Sequence, residues 1–178
     1  RSGEKAIAIV NALSGYLPLF LALSASSPHW HGQDTGLASA RTKVFEAMPT
    51  TGLPPHLSGW DEFNDFLDSL ITAGSIETVR EVWWDVRPHP GFGTVELRMC
   101  DATPTIREAC ALAALAQCIV QWCDDEMDAG RALPETREWI RRENKWRAAR
   151  FGTDADLVID NVGHTRPLPE VINQLVAD

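Results

Sequence analysis

Hydrophobic positions along this chain change period several times, and each change predicts an element. From Glu4 to about Leu23 apolar residues recur at helical spacing through Ile7, Val10, Leu13, Leu17 and Leu21, which predicts an amphipathic or buried first helix. Ser24 to Gly36 reads as a loop, followed by a short helix over about Leu37 to Met48. Pro49 to Pro55 is a loop rich in Pro, Gly and Thr. Ser58 with Asp61 suggests an N-cap for a helix from Trp60 to Ala73. That helix would turn Phe63, Phe66, Leu67, Leu70 and Ile71 inward, with Gly74 at its C-terminus. A long helix is expected after Asp101, with Thr103 as cap, Pro104 in the first turn and Thr105/Glu108 as a capping box. Its stretch Cys110 to Cys123 is almost wholly apolar, which predicts burial on most sides until an end near Gly130. A further helix covers about Pro134 to Arg150, stopped by Gly152, and a last short one Glu170 to Val176. The segment between them reads as loop.

Two stretches alternate with period two instead. In Val82-Trp83-Trp84-Asp85-Val86-Arg87 and in Thr94-Val95-Glu96-Leu97-Arg98-Met99-Cys100-Asp101, apolar and polar side chains take opposite faces. Pro88 to Gly93 joins them as a Pro/Gly loop, so a hairpin is expected, with Arg87 near Thr94 and Asp85 opposite Glu96. Its polar face would carry Asp85, Arg87, Glu96 and Arg98, two charges of each sign. Such a face is either a solvated surface laced by cross-strand ion pairs or a site. A carboxylate can hold a divalent cation, and a guanidinium can hold phosphate or carboxylate oxygens. Several helices with only about two strands point to an α+β class. A lone hairpin is marginal, so its apolar face needs more sheet from elsewhere.

Composition narrows the choices. The chain has 178 residues, 44% hydrophobic and 23% charged, with a formal net charge of -9. That fits a folded single domain, and the acidic balance argues against non-specific nucleic-acid binding. Cys100, Cys110, Cys118 and Cys123 lack CxxC spacing and are expected to be reduced, mostly buried thiols, as suits a cytoplasmic protein. Asn11, Ser14, Gly15 and Pro18 interrupt the first apolar run, so neither a membrane span nor a cleaved leader is expected there. His29 and His31 lack a nearby third metal ligand, and Asp34 is expected to order its loop or cap the next helix. Asp124 to Asp128 reads as a solvated acidic helix end. The basic run Arg141 to Arg150 is expected to form intrahelical ion pairs. Within it Asn144, Arg147 and Arg150 share a face that could meet an anion.

Taken together, the motifs carry a resemblance. Leu23-Ser24-Ala25-Ser26-Ser27-Pro28, then Asp34-Thr35-Gly36 and Ser39-x-Arg41, resembles the signature loop of the type 2 glutamate–cysteine ligases, the carboxylate–amine ligase family. Trp83 to Pro88, Thr94 to Asp101 and Glu143 to Arg150 resemble its other motifs in the same order. The resemblance implies part of a glutamine-synthetase-like catalytic domain, an antiparallel sheet with flanking helices, of which residues 1–178 would be the C-terminal portion. It implies an ATP-dependent joining of a carboxylate, typically the glutamate γ-carboxylate, to an amine such as that of cysteine, through an acyl phosphate. Glu96 would then hold catalytic Mg²⁺ or Mn²⁺, and Arg87 and Arg98 would meet the transferring phosphoryl group. Ser26, Ser27 and Arg41 would face the amino-acid substrate, with Asn144, Arg147 and Arg150 in support. The family's N-terminal half, which supplies further metal ligands and much of the nucleotide site, would come from a missing segment or a companion chain. The other reading is a non-catalytic subunit that completes the sheet of a partner; a homo-oligomer is compatible with either.

Overall fold

The computed structural model describes residues 2–177. Six α-helices and eight short strands follow one another: α1 Gly3–Ser24, β1 His29–Trp30, β2 Gln33–Asp34, α2 Ala40–Phe45, β3 Thr51–Gly52, α3 Trp60–Thr72, β4 Trp83–Trp84, β5 Val86–His89, β6 Thr94–Leu97, α4 Ile106–Asp128, α5 Glu138–Phe151, β7 Asp156–Val158, β8 Thr165–Pro167 and α6 Leu168–Ala177. The class is α+β, as expected. The strands form four separate two-stranded sheets rather than one curved sheet. The strand count expected from alternation was too low, because β1–β2, β3–β4 and β7–β8 run only two or three residues per strand. Such pairs are too short to show a period.

α1 is the axis of the molecule. Val10, Leu13, Leu17 and Leu21 are fully buried, and they pack with Val86 of β5, Met99, Ile119 of α4, Ala148 of α5, Leu157 of β7 and Leu168 of α6. By length and composition α1 could cross a membrane, despite its polar interruptions, but two thirds of its apolar window is buried in this core. A second cluster joins Ile7 to Phe63 of α3, Leu57, Ile76, Val82 and Trp84. α3 ends as anticipated: Gly74 takes φ 69°, and Ser75 N donates to Leu70 O at 2.9 Å. Its start differs. The cap is Gly59, and Ser58 instead donates through N and Oγ to Glu62.

α4 corrects two expectations. Its cap is Thr105, not Thr103, with the Glu108 capping box formed. Only Ile119 and Cys123 of this helix are buried. Ile106 and Trp122 are exposed, as are Cys110 and Cys118. The apolar composition of Cys110 to Cys123 therefore marks a face that nothing among the described residues covers. The acidic end of α4 is neutralised: Lys5 bridges Asp124 and Asp128, and Arg131 pairs with Glu126.

Candidate active site

The hairpin forms with its register two residues away from the expected one. Arg87 stands opposite Glu96 and His89 opposite Thr94. The connection is only Pro90 to Gly93, closed by Phe92 N and Gly93 N donating to His89 O, with Gly93 at φ 63°. A slip of two keeps side chains on their faces. Val95, Leu97 and Met99 pack on the core, while Arg87, Glu96 and Arg98 share the other side. The first strand is broken at Asp85: Trp83 and Trp84 pair in parallel with Thr51 and Gly52. Asp85 still meets the second strand, its carbonyl accepting Arg98 N at 2.7 Å.

Arg87 is buried and its donors are occupied. Nε and Nη2 reach Glu96 Oε2 at 3.1 and 2.9 Å, and Nη1 donates to the Val79 and Val82 carbonyls. It therefore buttresses Glu96 and the turn at Val79–Glu81. Arg98 is different. Its Nη1 is buried without an acceptor. Burial lowers its pKa, with Arg87 and Arg41 adding to the fall and Glu96 opposing it. Arg98 lines a cavity of about 90 Å³ together with Arg41, Glu46, Trp83 and Asp85. Like charges crowded around an orphaned donor want an anion.

The expected substrate loop is fastened to Asp101, a buried carboxylate. Asp101 Oδ2 accepts Ser26 N at 2.9 Å and Ser27 Oγ at 2.7 Å, and Oδ1 accepts Ser39 Oγ at 3.1 Å. Arg41 lies 3.8 Å from the same carboxylate and donates to the Met99 carbonyl at 3.1 Å, its guanidinium over the Phe45 ring. Ser26, Ser27 and Arg41 thus shape the loop. Of the three, only Arg41 also reaches the small cavity. Asp34 orders its own turn by accepting Gly36 N, and Ser39 caps α2. Among the described residues no group of three His, Cys, Asp or Glu gathers at His29 and His31.

α5 does not present the face expected of it. Asn144 is buried and clamps β7, its Nδ2 donating to Val158 O and its Oδ1 accepting Val158 N. Arg147 pairs with Glu143 and donates to Asp156 O. Arg150 stays exposed near Gly36. The functional candidate that periodicity missed is Lys145, which is 3% exposed. It bonds Asp85, and Glu46 at 2.7 Å. Burial raises the Asp85 pKa, and Lys145 brings it only part of the way back. Burial acts the same way on Glu46, but Lys145 and Lys43 outweigh it and leave that carboxyl below its ordinary range. The sequence signal was a lysine three residues from an ion-paired arginine, indistinguishable from a solvated face.

Glu96 alone does not fit a complete divalent-cation site. A hard cation takes about six oxygens, and Oε2 is already committed to Arg87.

This constellation sits in a chain whose whole length, residues 1–178, matches the glutamate-cysteine ligase family 2 model. The chain belongs to that family. It is 56% identical over 178 residues to a Frankia casuarinae protein named "Putative glutamate--cysteine ligase 2-1", covering all of this chain and 47% of that one. A Thermobifida fusca protein named "Putative glutamate--cysteine ligase 2" is 53% identical over 173 residues, which is 97% of this chain and 43% of the relative. One from Bdellovibrio bacteriovorus, with the same name, is 42% identical over 177 residues, 99% of this chain and 47% of the relative. The chain thus spans a little under half the length of these relatives.

Proposed function

We propose that this chain forms part of an ATP-dependent carboxylate–amine ligase of glutamate–cysteine type. The carboxylate oxygen attacks the γ-phosphorus of ATP and ADP leaves. The amine nitrogen then displaces phosphate from the acyl phosphate. Charge spreads over the equatorial phosphoryl oxygens during the first step, so positioned cations do most of the work. Family membership supports this reading, and one observation carries it: Arg98 brings an unsatisfied buried donor to a cavity shared with Arg41, beside Glu96 held in place by Arg87. In this reading Arg98 neutralises phosphoryl oxygens and Arg87 positions Glu96. Mg²⁺ or Mn²⁺ would take Glu96 as one ligand, with the others from the rest of a longer protein or a companion chain. No step above is assigned to the metal.

The test is Glu96→Gln in the intact protein, followed by ADP release with glutamate and an amine. Ligation is expected to vanish while the circular dichroism spectrum holds; near-normal turnover removes Glu96 from the site. Arg98→Ala is expected to lower kcat by on order of 10² or more. A second reading, a non-catalytic subunit that completes a partner's sheet, is favoured only by the two-stranded sheets and the bare face of α4. A chain that binds neither nucleotide nor metal even with its companion present would select it.

A further inference from the structure

The outer face of α4 carries a pattern that its packing on the core does not require. Leu112, Leu115, Ile119 and Cys123 turn toward the core. On the opposite side Arg107, Ala111, Ala114, Cys118, Gln121 and Asp125 recur at alternating steps of four and three, and all of them are exposed. That alternation is the heptad seam of two packed helices, and here it runs along about 27 Å of helix. Ile106 and Cys110 flank the seam on one side and Trp122 on the other, with Ile106 83% and Trp122 43% exposed. Large apolar side chains gathered along one exposed helix face mark a contact surface. The small side chains at the middle of the seam let a second helix approach to about 8 Å.

The charged ends of the seam decide what that second helix is. Arg107 stands at the N-terminal end and makes no side-chain hydrogen bond or ion pair among the described residues. At the C-terminal end Lys5 takes Asp124 and Asp128, which leaves the Asp125 carboxylate holding the uncharged amide of Gln121 at 2.9 Å. A cation and an anion without charged partners thus lie on one line, about five turns apart. A second copy of α4 laid antiparallel sets Arg107 level with the partner's Asp125, and two-fold symmetry repeats the pair at the other end. The same register sets Ala114 level with the partner's Cys118 and Ala111 level with the partner's Gln121. A parallel copy would set arginine on arginine and aspartate on aspartate, which repel. We propose that α4 is a self-association surface, on which a second copy of this chain packs antiparallel through residues 107–125. The inference does not depend on the ligase reading.

The experiment is sedimentation equilibrium of the intact protein over a concentration series under reductant, with the reactivity of the Cys118 thiol followed over the same concentrations. A monomer–dimer equilibrium is expected. In the dilute monomer Cys118 reacts fast, and it is expected to slow several-fold as the dimer fills. Arg107→Asp and Asp125→Arg are each expected to weaken the dimer about ten-fold or more, because each exchange turns an attraction into a repulsion twice across the two-fold axis. Both positions are exposed, so neither exchange disturbs the core. The double variant Arg107→Asp/Asp125→Arg is expected to regain most of the loss, which two independent surface perturbations would not. A protein that stays monomeric throughout the series overturns the proposal. So does a dimer that neither single exchange weakens, or that the double exchange does not restore. A Cys118 thiol that is slow in the monomer at every concentration also overturns it, because another part of the protein then lies over α4.

Discussion

Asp101 shows how much one side chain can organise. Three hydrogen bonds from Ser26, Ser27 and Ser39 and the nearby Arg41 all end on a carboxylate that is only 5% exposed. Asp101→Asn keeps the shape but turns an amide donor toward other donors. It is expected to cost about 2–4 kcal/mol in denaturant unfolding; a loss under about 0.5 kcal/mol would show that the loop does not depend on this carboxylate. The sequence offered both halves of this contact as motifs. It could not join them, because Ser26 and Asp101 are far apart along the chain and spacing carries no information across such a gap. The same blindness applies to Arg87. An arginine two residues after an aspartate looks free in one dimension, and only the turn at Val79–Glu81 shows where its donors go.

Between elements, the knot at Lys145 ties α5 to α2 and to the β4–β5 junction. Lys145→Met leaves two partly buried carboxylates without their cation and is expected to cost about 3–5 kcal/mol at pH 7. The pH dependence should then reverse in part. In the native protein the lowered Glu46 pKa contributes stability above its unfolded value, lost as pH falls through the folded one. Without Lys145, burial and the neighbouring Glu46 carboxylate drive the Asp85 value further up, while Glu46 keeps only Lys43 against burial and its value rises from the native one. The Asp85 contribution is then greatest below its unfolded value and lost as pH climbs through the folded one. Melting curves from pH 4 to 8 should show the variant losing least at the acid end; a uniform loss would mean that the knot is not electrostatic. At this scale the sequence was informative wherever local chemistry decides. The helix ends at Gly74, Gly130 and Gly152, the Thr105/Glu108 box and the two faces of β6 were all legible. The hairpin register was not, because it depends on how many residues of Pro88 to Gly93 the turn consumes.

For the whole molecule, the bare face of α4 is the main departure from expectation. Composition showed that α4 is apolar; it could not show what covers it. Thiol chemistry tests the arrangement directly. Cys110 and Cys118 are exposed, Cys100 is partly buried, and burial with Glu126 nearby pushes the Cys123 thiol up to about 11. Native protein should show two fast and two slow thiols toward a disulfide reagent. Four slow thiols in a longer protein would mean that the remainder lies over α4. The central helix has a consequence of another kind. α1 packs most heavily against α5, which begins only at Glu138. At ~5–20 residues per second of synthesis, a run greasy enough for a bilayer waits on the order of ten seconds for its native cover. Nascent chains of this protein should therefore be avid clients of ribosome-associated chaperones.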